Sequence, residues 1–379
     1  MKHGRSIALF ASLSLGLAIA LGPMTAVAKE LKATLGVGPK HPAAAVSYPE
    51  FFKVAEDKTN KSLSFRMFNS GALLPVRATL TGLRDGVADI GLIVMSYYGG
   101  EMKSVQIVSD LSILGRDQAA TLGATSEFMM VQCAACIRDF DANGVVQLSG
   151  YPVPPYVLIS KSKIETLADI RGKKMRSGGG SFSAWAKAVG AVDVNIPIDE
   201  MYEAFNAGVI DVGVQTQSGL RAYNFWDTAK HVTELPVGII SSAALFTAGK
   251  KMWQGLTPVE RSALLDASVA GITAQVEAYD KEVKEIYDPA RQRGVTFSRP
   301  AADLVKATED FRRSVADDVA KSAPEKYGNV DIQATVKTYL ALLDKWETLV
   351  KPVREDYPAL ARLLQREIYA KVDRAKWGM

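Results

Sequence analysis

Apolar and polar residues alternate or recur along this chain in short blocks, and the blocks come in a fixed order. Leu31 to Gly36 alternates as a first strand and opens into the loop Gly38-Pro39-Lys40-His41-Pro42. Ser47 to Thr59 then carries Phe51, Phe52, Val54 and Ala55 at helical spacing. Leu63 to Phe68 reads as a second strand ending in Asn69-Ser70-Gly71, Pro75 to Arg84 as a helix stopped by Gly86, and Ala88 to Met95 as a third strand. Strands alternating with helices predict an α/β fold with mainly parallel sheets and flanking helices.

The cassette returns. Gly82–Leu92 (G-L-R-D-G-V-A-D-I-G-L) aligns with Ala204–Val214 (A-F-N-A-G-V-I-D-V-G-V). Gly86 then falls on Gly208, Val87 on Val209, Asp89 on Asp211 and Gly91 on Gly213. Two copies about 120 residues apart predict two lobes built alike. Between the copies lie an apolar stretch Val105 to Leu114, a helical-looking stretch Ala119 to Asp141, and a strand at Val145–Leu148. Tyr151-Pro152-Val153-Pro154-Pro155-Tyr156 follows, with prolines suited to a rigid extended crossing. The second lobe opens with the strand Val157 to Ser160. A helix is expected over Tyr223 to Lys230, an extended run over His231 to Ile240, and a strand around Phe246 returning to the first lobe.

Beyond Phe246 the pattern turns helical. Thr257-Pro258-Val259-Glu260 has a cap, a proline at the first helical position and a glutamate at the third. No breaker follows until about Tyr287, so this helix would run roughly 45 Å and brace both lobes. Further helices are expected at Ala301–Ala323, Ile332–Leu349 and Tyr357–Val372, with Trp346 and Trp377 as packing residues. The predicted division is 1–28 as a signal peptide, 29–153 with 242–281 as lobe I, and 154–241 with 282–379 as lobe II with the C-terminal helices.

The signal peptide rests on a positive start (Lys2, His3, Arg5), an apolar run from Ile7 to Leu21, and the small-x-small site Ala26-Val27-Ala28. It implies a periplasmic or secreted product that does not itself span a membrane once processed. The formal charge of +4 falls to about +2 without Lys2 and Arg5. That balance, with acids and bases interspersed, argues against a nucleic-acid partner. His41 and His231 are the only histidines after that segment. The chain carries no H-E-x-x-H, G-x-S-x-G or Walker motif. Nothing in it calls for a cofactor or metal, and binding is favoured over catalysis. Cys133 and Cys136 form C-A-A-C, the only cysteines. In an exported protein they can close a local disulfide. A thioredoxin-like redox pair is the alternative, giving a secreted thiol oxidoreductase as the rival function. That motif needs a preceding strand and a helix N-terminus beneath it, whereas this pair lies within a helical pattern.

Leu167 to Gly180 carries the sharpest chemistry. A short helix (Leu167–Arg171), a turn at Gly172 and a strand (Lys173–Met175) deliver Arg176 into Ser177-Gly178-Gly179-Gly180, before a helix at Ser181–Val189. Strand ends opening into glycine-rich loops are ligand positions in open α/β sheets. A guanidinium there can grip a carboxylate through two parallel hydrogen bonds.

The order of parts resembles the solute-binding protein of a TRAP transporter, the extracytoplasmic DctP type, over essentially the whole mature chain. The matching segments are Phe68-Asn69-Ser70-Gly71-Ala72-Leu73, the L-x-x-G-V-x-D helix–strand, I-E-T-L-A-D-I-R-G-K-K-M-R at Ile164–Arg176, Val189-Gly190-Ala191, Met201–Asp211, and K-K-M-W-Q-G-L-T-P at Lys250–Pro258. The resemblance implies a two-lobed periplasmic-binding-protein-like architecture, an organic-acid ligand clamped by Arg176, and delivery to TRAP membrane permease subunits. A ligand-sensing partner of a membrane receptor fits the same features. Two positions depart from the family. Tyr156 and its proline-rich neighbours stand where many members carry a second arginine. Val214-Gln215-Thr216 replaces a Glu-Asn-Pro whose asparagine touches the carboxylate. One clamp favours one carboxylate, with an apolar or aromatic remainder resting on Tyr97, Tyr98, Tyr156 or Phe225. Gln215 is expected to donate an amide hydrogen bond. With Asn69 and Ser177 these residues complete the candidate ligand-binding set.

Overall fold

The computed structural model describes Met1 and residues 28–379. Nearly all of the expected signal peptide therefore lies outside the described residues. Among the described residues eleven strands form two sheets. They are β1 (Lys29–Thr34), β2 (Leu63–Phe68), β3 (Ile90–Val94), β4 (Val145–Gln147), β5 (Tyr156–Ser160), β6 (Lys174–Arg176), β7 (Val192–Val194), β8 (Val212–Gln215), β9 (His231–Gly238), β10 (Ala243–Gly249) and β11 (Thr296–Ser298). The first sheet has the order β2-β1-β3-β10-β4 and the second β11-β9-β5-β8-β6-β7. No single described helix is long and apolar enough to cross a membrane.

Both sheets are mixed. Pairing is parallel across β2-β1-β3 and β7-β6-β8, as helix crossovers demand. β5 and β10 are antiparallel to both of their neighbours. Each is the first strand after the chain passes from one sheet to the other, β5 after β4 and β10 after β9. β11 also pairs parallel with β9, so parallel pairings outnumber antiparallel ones by five to four and the sheets are mainly parallel by that margin.

The cassettes themselves are structural equivalents. Gly86 and Gly208 turn the chain at φ 78° and 69°. Asp89 then accepts from the Lys32 amide at 2.7 Å, and Asp211 from the Lys174 amide at 2.9 Å. In return the Asp89 and Asp211 amides donate to the Lys32 and Lys174 carbonyls, each at 2.8 Å. One aspartate thus locks each cassette strand to the parallel strand beside it, β3 to β1 and β8 to β6.

The long helix runs Pro258–Glu285 with the Thr257/Glu260 capping box in place. It packs on the helix Tyr48–Lys58, where the Ser47 hydroxyl donates to the Gly271 carbonyl at 2.7 Å. Beneath them Phe51 stacks on Phe246 at 4.3 Å, which ties the first helix to β10.

Three local expectations are corrected. Tyr223–Lys230 is not one helix. A turn of helix covers Gly219–Ala222, Asn224 adopts a left-handed conformation at φ 55°, and a tight turn covers Phe225–Asp227. Asparagine tolerates that backbone region, and Lys40 holds its side-chain oxygen at 3.2 Å. Ala119–Asp141 bends by 79° between Gln118–Gln132 and the helix Ala134–Ala142. Cys133 is the cap of that second helix, not an interior residue. It is disulfide-bonded to Cys136. Finally, Tyr357–Leu364 ends in a wider turn at Gln365–Tyr369.

The C-terminal helices are anchored by a buried acid. Glu127 is 2% exposed and accepts from Lys345 at 2.6 Å, Lys371 at 3.3 Å and the Trp346 indole at 2.8 Å. Gly123 makes room for the Trp346 ring, which a Cβ there would meet at 2.1 Å. Glu127→Ala should destabilise the fold by about 2–3 kcal/mol, below the full cost of breaking a buried pair because both lysines can turn to water. Urea titration is the check; a change under about 0.5 kcal/mol, the scale of an ordinary surface substitution, would remove Glu127 as the anchor.

Candidate ligand-binding site

The site begins with local structure around β6. Thr166 and Asp169 cap the short helix Leu167–Ile170 reciprocally, and Gly172 turns the chain at φ 71° into β6. β6 lies between β7 and β8, with Arg176 opposite Val194 and Gly213. Its last residue therefore leaves the sheet at the carboxyl end, next to the end of β8. Gly178, Gly179 and Gly180 follow, all with positive φ (81°, 94° and 58°). A Cβ on Gly178 would sit 3.1–3.2 Å from the Arg176 guanidinium, and one on Gly180 would lie 2.5 Å from the Ser109 carbonyl oxygen. The glycines thus allow the loop to fold over the guanidinium and let the helix Gly180–Ala188 abut Ser109 and its neighbours. Ser181 accepts there from the Ile113 amide at 3.0 Å.

Arg176 is 2% exposed. Its Nε donates to the Ile196 carbonyl at 3.1 Å and its Nη2 to the Tyr97 hydroxyl at 2.8 Å. Among the described residues it forms no ion pair with a carboxylate; its partners are a carbonyl and a phenol. Tyr97 follows β3 of the other sheet, so this bond joins the two halves of the molecule. So do Ser96 to the Gly178 carbonyl at 3.1 Å and the Val76 amide to Asp199 at 3.3 Å.

A narrow cavity of about 30 Å³ lies between these loops. Open small-molecule pockets run to roughly 300–1,000 Å³, so the walls here are already nearly in contact. Its polar lining is Arg176, Ser177, Gln215 and four tyrosines: Tyr97, Tyr151, Tyr156 and Tyr223. Aliphatic residues from β3, β10 and the loops supply the rest, including Val37, Val94, Ile198 and Ala243.

The tyrosines are held by stacking. Tyr156 lies on Phe182 at 5.3 Å, and Tyr223 on Phe225 at 5.2 Å. Burial pushes the Tyr156 phenol well above its ordinary value, reinforced by nearby Tyr151 and opposed by the Arg176 guanidinium. Burial likewise raises Tyr151 to about 12. Both are neutral hydrogen-bonding groups at physiological pH. Gln215 is 5% exposed, and its oxygen accepts from the Thr216 amide at 2.7 Å. That leaves the amide nitrogen as its available donor.

Of the eight candidate ligand residues, five line this cavity: Arg176, Gln215, Tyr156, Tyr97 and Ser177. The Ser177 hydroxyl, however, is committed to Asp193 at 2.6 Å and Ser183 at 2.7 Å. Three candidates lie elsewhere. Tyr98 donates to the Val76 carbonyl at 2.8 Å and pins the turn at 76–80. It neighbours Tyr97 in sequence, and only one of the two side chains turns to the cavity. Asn69 follows β2, the edge strand, away from the β1–β3–β10 centre where the cavity opens. Phe225 sits one layer back, behind Tyr223.

This fold and this crevice have relatives. Residues 37–322 match the family described as bacterial extracellular solute-binding protein, family 7, the DctP family. The chain belongs to this family. A solute-binding protein of Albidiferax ferrireducens is 22% identical over 183 residues, 48% of this chain and 53% of that protein. The chain thus matches about half that relative's length. The C4-dicarboxylate-binding periplasmic protein DctP of Rhodobacter capsulatus is 23% identical over 72% of this chain and 81% of its own. Among solved structures, DctP7 of Bordetella pertussis, an extracytoplasmic solute receptor binding pyroglutamic acid, superposes with a TM-score of 0.69 at 21% identity. It covers 83% of this chain and 100% of its own. A TRAP solute-binding protein of Rhodoferax ferrireducens, in complex with copurified benzoate, gives 0.73 at 19% identity over 85% of this chain and 99% of its own. At these identities the structures show the fold, a TRAP solute-binding protein with two mixed sheets and flanking helices. Family 7 proteins are solute receptors rather than enzymes.

Within this DctP-type receptor, the cavity residues that sequence reading passed over are chiefly Tyr151 and Tyr223. Tyr151 was visible as one of two tyrosines bracketing the proline crossing. Tyr223 was hidden in the segment read as a helix. Among the described residues no cluster of three or more His, Cys, Asp or Glu is gathered to hold a metal.

Proposed function

We propose that this receptor captures an organic acid with a single carboxylate in the periplasm and hands it to the membrane permease of a TRAP transporter. Capture occurs by closure of lobe I (29–153 with 242–281) and lobe II (154–241 with 282–379) around Arg176. The observation that carries the reading is a guanidinium 2% exposed with no acidic partner among the described residues. A buried charge without a counter-ion costs several kcal/mol. An anionic ligand removes that cost only in the closed arrangement, where water is excluded and the pairing is strong. Its differential affinity then shifts the lobes toward closure.

Among the described residues Arg176 is the one cation in the cavity lining, so one carboxylate is gripped and a second would be desolvated without a partner. The remainder of the ligand would rest on tyrosines and aliphatic side chains. The closed walls require lobe separation for entry. The polar contacts to be broken include Ser96–Gly178, Val76–Asp199 and Lys40–Asn224, each worth about 1 kcal/mol net. The relatives' pyroglutamate and benzoate, each with a single carboxyl group, are in keeping with this class.

A thermal-shift screen of mono- and dicarboxylic acids, followed by calorimetry, tests it. A good ligand at one hundred times its dissociation constant adds about 2.7 kcal/mol to stability. Monocarboxylates of compact shape should give the larger shifts, and succinate or malate at least tenfold weaker binding. Tighter binding of the dicarboxylates would overturn the single-clamp reading.

A further inference from the structure

Behind the cavity lies a buried chain of three hydrogen-bonding side chains, His41, Tyr279 and Tyr151. His41 is 2% exposed and Tyr279 1%. The Nδ1 of His41 accepts the Ala43 amide hydrogen at 3.0 Å. A neutral imidazole accepting at one nitrogen carries its proton on the other. Its Nε2–H therefore donates, and the groups within reach are the Tyr279 hydroxyl at 3.1 Å and the Tyr151 hydroxyl at 3.3 Å. Tyr279 has its own proton to place. Among the described residues its one remaining acceptor is the Tyr151 oxygen, at 3.5 Å. Whichever phenol takes the histidine proton, the polarity runs outward, from His41 toward Tyr151. Tyr151 receives, and it alone of the three lines the cavity.

We infer that the His41–Tyr279–Tyr151 chain fixes the Tyr151 hydroxyl as a hydrogen-bond donor aimed into the cavity, so that the ligand carries a neutral oxygen acceptor in addition to its carboxylate. The inference rests on the carboxylate reading of Arg176 and narrows it to oxo-, hydroxy- or lactam-bearing monocarboxylic acids. The physical ground is the cost of the alternative. A plain hydrocarbon acid with its carboxylate taken up by Arg176 would offer the buried Tyr151 proton no neutral acceptor, and sites built to bond a polar group discriminate strongly against analogues lacking it. His41 and Tyr279 do not touch the ligand in this scheme; they are positioning residues acting through Tyr151.

The test uses pairs of acids differing by one neutral oxygen: pyroglutamate with cyclopentanecarboxylate, 3-hydroxybenzoate with benzoate, and 4-oxocyclohexanecarboxylate with cyclohexanecarboxylate. Dissociation constants are measured by calorimetry on the mature protein. The wild type should bind the oxygenated member of at least one pair tenfold or more tightly. In Tyr151→Phe that ratio should fall to within threefold, with the plain acid's affinity unchanged. His41→Leu should also lower the ratio within the pair; a purely structural role would weaken both members together. Equal affinities within every pair, or a preference that survives in Tyr151→Phe, overturns the inference. If plain acids bind and Arg176→Ala abolishes that binding while no pair is discriminated, only this inference fails. If none of the six acids binds, the carboxylate reading fails with it.

Discussion

Arg176→Ala should weaken acid binding by about 2–5 kcal/mol, roughly thirty- to several-thousand-fold, while leaving the unliganded fold at least as stable as before. The two halves of that expectation have one cause. The guanidinium is buried against a carbonyl and a phenol, neither of which neutralises it. Without ligand it is a net burden on the fold, so truncation relieves desolvation while forfeiting two hydrogen bonds. With ligand it supplies the counter-charge, so the same truncation leaves a carboxylate desolvated and unpaired. A stability role alone would give the opposite signature, a lower melting temperature with affinity little changed. Arg176→Lys is informative as well. An ammonium can hold neither the planar fork nor the simultaneous bonds to Ile196 and Tyr97, so it should recover only part of the affinity. Calorimetry showing Arg176→Ala within a factor of two of wild type would end the site assignment.

The second large effect is in the pH dependence of folding, where two buried groups act in opposite directions. Burial lowers His41 from 6.5 to about 3. Between those values the unfolded chain holds a proton there and the folded chain does not, so acidification favours unfolding. His41's contribution is intact above pH 6.5 and declines by about 1.4 kcal/mol per unit below it, roughly 4–5 kcal/mol in all by pH 3. Glu282, on the long helix and 6% exposed, is raised by burial to about 7, against the pull of Arg221 at 3.7 Å. From pH 4.5 to 7 the folded chain holds that proton and the unfolded chain does not, so this contribution is lost as pH rises. The two slopes nearly cancel between pH 4.5 and 6.5.

Urea titrations from pH 4 to 7.5 should therefore show a flat wild-type profile over that window. In Glu282→Gln, stability should fall on acidification from pH 6.5. In His41→Gln, it should fall on going from pH 4.5 to 7. Parallel profiles for the three proteins would show that neither group titrates differently on folding.

How much of this could be read from the chain alone follows a physical division. The repeated helix–turn–strand cassettes were legible because each is set by neighbours in sequence: a glycine at positive φ, an aspartate three residues on, and a β-branched run. The Thr257/Glu260 cap and the glycine run after Arg176 are local in the same sense, and their place in the fold agrees with their pattern. Those features by themselves determined an α/β chain with two like units and an arginine at a strand end facing glycine. Tertiary structure alone decided the reversed direction of β5 and β10, because strand direction depends on where the chain enters a sheet. It also chose Tyr97 over Tyr98 for the cavity, since adjacent side chains diverge and the partner across the cleft selects between them. Tyr151, Tyr223 and His41 come together from segments as much as 182 positions apart, and no local periodicity records such a meeting. In the inferred chain, the direction in which the Tyr279 and Tyr151 hydroxyl protons point depends on one backbone amide, that of Ala43, occupying Nδ1 of His41 in the space behind the site.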